Sequence, residues 1–347
     1  MPSKNDQNTR QNRLLYLGNK LSSKGRTPTS IETLGRFLEN EGFKIITASS
    51  KENQLLRLFD MIYVIFKNRN KIDIIIIDSY STLAFWYAYI CGIIAKFFGI
   101  DYITILRGGD LPKRLHLNPK ICQQLFGEAK VNISPSMYLL YEFNKAGFSN
   151  IKYIPNTIEI EKYPFRLRTQ LKPRMLWVRS IADIYNPMMA LFVLKRLKQI
   201  YSNISLSMVG PFKDDSINAC RAFANKHQLS VTFTGQLSKM EWITYARDFD
   251  IFLNTTYIDN TPVSVIEAMA LGLPVVSTSV GGIPFLLDDE LDALLVQSDN
   301  VDQMTEAILY LLDHPEFAKH LVKTARRKAE NFDWLTVKHE WFGVLGE

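Results

Sequence analysis

Short, uniformly apolar runs recur along the chain, each followed by a helix-length segment. This alternation constrains the fold more than any other feature. In the first half the runs are LLYLG at 14–18, KIITA at 44–48, DIIIID at 73–78, YITIL at 102–106, VNIS at 131–134 and IKYIP at 151–155. In the second half they are MLWV at 175–178, ISLSMVG at 204–210, VTFTG at 231–235, IFLNT at 251–255, PVVST at 274–278 and DALLV at 292–296. Many are apolar throughout rather than alternating, the pattern of strands buried on both faces of a parallel sheet. The segments between them carry helix signals. In SIETLGRFLENEG at 30–42, Ser30 suits an N-cap and Gly42 the position just past the helix end. The expectation is an α/β fold with two doubly wound sheets. A length of 347 residues agrees, being too long for one ordinary core. Residues 156–174 break the rhythm with charge and with Pro164 and Pro173, and read as the linker between domains.

The net charge of +6 suits anionic small ligands or an anionic membrane surface, and does not by itself point to nucleic acid. Cys91, Cys122 and Cys220 lie far apart, form no metal-ligand spacing and read as buried thiols in a reducing compartment. The polar start, MPSKNDQNTRQNR, has no apolar core of a signal peptide and reads as a loose tail over 1–12. The run 83–100 is near the lower limit for a membrane span but carries Lys96 and precedes a strand. It reads as a buried helix. Residues 55–71, LLRLFDMIYVIFKNRNK, are apolar almost all round and end in Lys67, Arg69 and Lys71. A core helix is the first reading and peripheral membrane docking the second.

The segment DNTPVSVIEAMALGLPVVSTSVGGIPFLL, beginning at Asp259, combines these elements in one place. A strand at 251–256 leads into a loop, Thr261 reads as an N-cap, Pro262 as the first helical residue and Gly272 as the end of the helix. A new strand follows at once. The helix N-terminus thus lies at the carboxyl end of a strand, where open α/β sheets bind ligands. Backbone N–H groups over Pro262, Val263 and Ser264 would face an anion. Asp259 stands just before them and Glu267 roughly 7–9 Å into the helix. Carboxylates repel a phosphate alone. A ligand that joins phosphates to hydroxyls, such as a nucleotide-sugar, uses both features. Gly281 and Gly282 would let the backbone approach it closely.

These residues carry a resemblance. Residues 259–287 resemble the signature of retaining GT-B glycosyltransferases of family 4, which hold two acidic residues separated by seven others. IPNTIEIEKYP at 154–164 resembles the family's interdomain segment, and DFDIFLNTT at 248–256 its strand leading to the signature. FDW at 332–334 resembles the start of its C-terminal helix. The resemblance spans roughly residues 13–345. It implies two Rossmann-like domains facing across a cleft: an acceptor-side domain at 13–165, a nucleotide-sugar domain at 166–330 and a helix at 331–347 crossing back to the first. It implies that Glu267 accepts from the donor ribose, that Asp259 holds hydroxyls of the transferred sugar, and that Arg179 stabilises the leaving diphosphate. Thr261, Pro262, Val263, Ser264, Gly281 and Gly282 would line the donor pocket, Gly210 and Gly235 the loops around the base. Gly25, in KGRTPTS, would belong to the loop facing donor and acceptor.

Three departures stand out. The first acidic residue is Asp259 rather than the usual Glu. Asn186-Pro187 replaces the usual Lys-Gly, removing a second diphosphate cation. Arg107, in LRGGD, stands at the usual His, where it would supply that charge or face the acceptor. A branch of the family with RG-x-D and YNP segments resembles the chain in these changes. The implied activity is transfer of a sugar to a glycan or lipid-linked acceptor with retention, in surface polysaccharide or glycolipid synthesis. No metal or other cofactor and no nucleic-acid partner are expected, and the setting is cytoplasmic, on the inner membrane face if docked. A donor-binding but catalytically silent subunit is the alternative. A nicotinamide oxidoreductase is the weaker one, because GNKLSSKG after the first strand lacks G-x-G-x-x-G.

Overall fold

The structure, a computed structural model, describes residues 13–21 and 29–346. Each apolar run forms a strand: β1 Arg13–Leu17, β2 Lys44–Ala48, β3 Ile74–Ser79, β4 Asp101–Leu106, β5 Val131–Ser134, β6 Ile151–Tyr153, β7 Arg174–Val178, β8 Ser205–Val209, β9 Val231–Gly235, β10 Ile251–Asn254, β11 Val275–Thr278 and β12 Leu294–Val296. They build two six-stranded sheets, ordered β2-β1-β3-β4-β5-β6 and β12-β11-β10-β7-β8-β9. All pairings are parallel. Helices on the faces explain the lack of alternation: Ile74 to Ile77 are all buried, so both sides of that strand must be apolar. This is an α/β architecture of two parallel, doubly wound sheets.

The two sheets place their ligand-prone ends differently. In the second, β7 lies between β8 and β10, so chain order reverses at β7/β10, as in the dinucleotide-binding order. In the first the reversal falls at β1/β3, the flavodoxin-like position. Side chains beyond these points, rather than along the strands, are placed to meet ligands.

The chain divides into two compact units, one of residues 1–155 with 337–347, the other of residues 156–336. The division falls at Pro155/Asn156, ahead of the boundary at 165 read from the sequence. Residues 156–174 are bonded into the second unit. Arg168 donates to the carbonyls of Phe249 and Gly272, and the Ile158 N–H donates to Phe332 O. Charge and proline in this segment mark a strap over one unit, not a free linker.

Two helix details depart from the sequence reading. Thr29, not Ser30, caps the helix Ser30–Asn40, in a capping box with Glu32. The helix Gln54–Asn68 is not a core helix. It buries only Arg57, Met61 and Ile65, and exposes Leu55, Leu56, Phe59, Tyr63 and Phe66. The helix Phe85–Phe97 is likewise buried on one side only, with Trp86, Ile93 and Phe97 exposed. No described helix is long and apolar enough to cross a membrane.

Candidate functional site

In the second unit, five loops leave the carboxyl ends of β7 to β11 and bond to one another. The β7 strand continues into the Arg179 N–H, which donates to Val209 O, and the Gly210 N–H donates to Gly235 O. The Thr255 hydroxyl beyond β10 donates to Asn186 O at 2.8 Å, and Trp177 Nε1 donates to Thr255 at 2.9 Å. The Gly282 N–H donates to Asp259 O at 2.9 Å.

Glycines make the closest approaches. A Cβ on Gly210, where φ is +148°, would fall 1.8 Å from Arg179 O. One on Gly282 would fall 1.9 Å from Asn260 O, and one on Gly281, at φ +54°, 2.4 Å from Asp259 O. Gly210→Ala should therefore displace the Arg179 carbonyl and destabilise the fold by ~3 kcal/mol. Urea unfolding checks this through a lowered midpoint at unchanged slope.

Asp259 and Arg179 meet across the β7/β10 reversal. Arg179 Nη2 pairs with Asp259 Oδ2, and the guanidinium lies 4.3 Å from the Tyr185 ring centroid. The Asp259 Oδ1 accepts from the Asn260 N–H at 2.9 Å. Arg179 Nε is buried with no hydrogen-bond partner, and so is Ser264 Oγ. Buried polar atoms are rarely left so, and each marks a place for a ligand or water.

The signature helix runs Val263–Ala270 with Pro262 as its N-cap. The cap is thus one residue beyond Thr261, and Pro262 itself has no N–H to offer. The amides of Val263 and Ser264 begin the helix and are the anion-facing groups. Thr261 contributes its carbonyl, which accepts from Asn156 Nδ2 at 3.3 Å. Glu267, only 2% exposed, lies one turn inside this helix. Its Oε1 accepts from the Tyr163 hydroxyl at 2.6 Å and pairs with Lys239. Burial first, then the Glu267 charge, pushes the Tyr163 phenol well above its ordinary range, so it stays a donor.

Tyr163 and Lys239 were not among the residues singled out from the sequence. Lys239 opens the helix Lys239–Tyr245 after the Ser238–Glu241 capping box, a signal legible as S-x-x-E. Nothing in the spacing tells which carboxylate it meets. Asn186 is also explained. It adopts φ +46°, caps the helix Pro187–Leu197 through the Met189 N–H, and donates to Asp299 at 2.7 Å. A lysine there could not cap.

Arg107 belongs to the first unit, at the end of β4. Its Nε donates to Asp78 Oδ1 at 3.1 Å, and the Tyr16 hydroxyl donates to the same oxygen at 3.0 Å. Burial alone would lower the guanidinium, but the Asp78 charge opposes this, and the guanidinium stays above its ordinary value. Burial raises Asp78 in turn, against the pull of Arg107. Asp78 is thus the fixed partner of Arg107. Gly25 lies outside the described residues.

Residues 172–314 match the family model of glycosyl transferases group 1. Among curated relatives, an uncharacterized glycosyltransferase of Haemophilus influenzae is 25% identical over 150 residues, 43% of this chain and 42% of that protein. A D-inositol 3-phosphate glycosyltransferase of Saccharomonospora viridis is 32% identical over 88 residues, 25% of this chain and 20% of that one. The chain thus spans less than half the length of these two relatives. Among solved structures, sucrose-phosphate synthase from Thermosynechococcus elongatus aligns at TM-score 0.80 and 15% identity, over 96% of this chain and 98% of that one. The Anabaena protein HepE, in complex with UDP, aligns at TM-score 0.74 and 15% identity, over 96% and 99%. The chain therefore has the fold of the GT-B glycosyltransferases, and its residues 172–314 are similar to the glycosyl transferases group 1.

Proposed function

We propose that the protein is a retaining glycosyltransferase of family 4 that moves a sugar from a nucleoside-diphosphate sugar to an acceptor hydroxyl, in surface polysaccharide or glycolipid synthesis. The observation that carries this reading is the signature helix. It has two free amides at its start, a buried carboxylate one turn in, and an Arg–Asp pair beside it with an orphaned guanidinium N–H. Phosphate oxygens suit the amides and Arg179, while ribose and sugar hydroxyls suit Glu267 and Asp259. A UDP-bound structural neighbour supports the ligand class. In this reading the departing diphosphate is stabilised by cationic side chains and helix amides, without a metal. Gly210 and Gly235 would edge the base. The test is a thermal-shift panel of nucleoside diphosphates and nucleotide-sugars, followed by product analysis of anomeric configuration.

The helix Gln54–Asn68 supports a membrane-bound setting. Leu55, Leu56, Phe59, Tyr63 and Phe66 form an exposed apolar stripe, continued by the basic residues Lys67, Arg69 and Lys71. Such a face, apolar with a basic end, suits an anionic bilayer and hence a lipid-linked acceptor. Each aromatic inserted is worth roughly 1.5–3 kcal/mol. Phe59→Ser with Tyr63→Ser should cut cosedimentation with vesicles containing phosphatidylglycerol at least ~10-fold. Equal binding by wild type and double variant would remove this setting.

A further inference from the structure

We propose that Lys239 is the second cation of the donor site. It pairs with Glu267 and moves to the diphosphate when ligand hydroxyls take Glu267. This rests on the donor-site reading above.

The charge balance favours a second cation beside the helix amides. A diphosphate entering here meets two carboxylates, Asp259 and Glu267, and Arg179 is already paired with Asp259. Asn186, at the place of a cation in the resemblance, is committed to its cap and to Asp299. Like charges brought together in a partly buried site disfavour binding unless another cation joins them.

Lys239 is placed to do this. Its Nζ and the Tyr163 hydroxyl converge on the same Glu267 oxygen, Oε1. A ligand hydroxyl donating to Glu267 competes with these two donors. Tyr163 is buried and fixed, whereas the Lys239 side chain is 53% exposed against 3% for Glu267. Lys239 is therefore the partner that can leave. The ligand hydroxyls that take Glu267 replace the bond that Lys239 gives up, so the buried carboxylate stays satisfied when the lysine leaves. Glu267 follows Val263 by about one turn, so the helix start lies ~6 Å away along the axis. The four-carbon stem of lysine spans about that distance and carries a mobile point charge. Lys239 would thus exchange one anion for another as the ligand arrives.

The test uses the full chain and calorimetric titration. The probes are the nucleoside, monophosphate and diphosphate of whichever base stabilises the wild type. Lys239→Gln should bind the diphosphate ~10-fold more weakly and the free nucleoside as well as, or better than, wild type. Lys239→Arg should recover most of the loss, and the diphosphate affinity of Lys239→Gln should fall less steeply with salt. An equal loss for nucleoside and diphosphate would make Lys239 a mere support of Glu267 and overturn the exchange. Unchanged diphosphate affinity would overturn it too. Wild type that binds none of the nucleotides would instead bring down the donor-site reading, and the exchange with it.

Discussion

Glu267→Ala should abolish most nucleotide-dependent stabilisation of the protein. The Glu267 carboxylate is buried, so hydrogen bonds from ligand hydroxyls to it are charge-assisted and worth about 1.5–3 kcal/mol each. Losing two such bonds weakens binding on the order of 100-fold or more. At a ligand concentration 100 times the wild-type Kd, binding stabilises the fold by about 2.7 kcal/mol. At the same concentration, the variant would retain only ~0.4 kcal/mol, from the same mass-action relation. The variant's own baseline will also drop, because the Tyr163 hydroxyl loses its acceptor inside the fold. That costs about 1–3 kcal/mol. The informative quantity is therefore the ligand-induced shift of each protein from its own baseline. A shift in wild type with one base, lost in Glu267→Ala, establishes the pocket and its base. An equal shift in both proteins would exclude Glu267 as a ligand contact. Absence of any shift in wild type would bring down the donor-site reading, whereas a shift without transfer to any acceptor would favour the donor-binding, silent-subunit alternative.

The strands were legible in the sequence because burial on both faces leaves a strong, local signal. DIIIID could be little else than a central strand, and all of Ile74 to Ile77 are buried. Helix ends were less legible. Thr29 and Ser30 are both good caps, and only the Glu32 side chain, reaching back to the Thr29 N–H, decides between them. Exposure was misread for 55–71 because an apolar composition says nothing about which neighbours cover it. Within the site, residues whose role depends on local sequence were found. Asp259, Glu267 and the glycines share one β-loop-α-β unit and its neighbours. Tyr163 and Lys239 reach Glu267 from 104 and 28 residues away in the chain, and no spacing rule spans such distances. Asp78 was missed as a partner of Arg107 for the same reason. The pair is made by two different strands at the carboxyl edge of the first sheet.

Arg179→Lys should lower kcat ~100- to 1000-fold while leaving KM within a few-fold. Removing one preorganised donor to a developing anion typically costs that much. Geometry rather than net charge sets the size of this effect. Arg179 is held on two sides, by Asp259 through Nη2 and by the Tyr185 ring, so its fork is oriented before any ligand arrives. Nε is buried and unpartnered, a cost of about 1–3 kcal/mol that an incoming phosphate oxygen would relieve. As the sugar–phosphate bond breaks, negative charge grows on that oxygen, and the bond from Arg179 strengthens in the transition state. A lysine can keep the Asp259 ion pair and so preserve the fold and much of the ground-state binding. It has no planar fork, so it cannot serve Asp259 and the phosphate together. The effect should thus fall on kcat, the signature of an interaction made mainly in the transition state. A rise in KM with unchanged kcat would reassign Arg179 to uniform binding of the donor. Unchanged turnover would remove it from the reaction and leave Lys239 and the Val263 and Ser264 amides as the groups that face the leaving diphosphate.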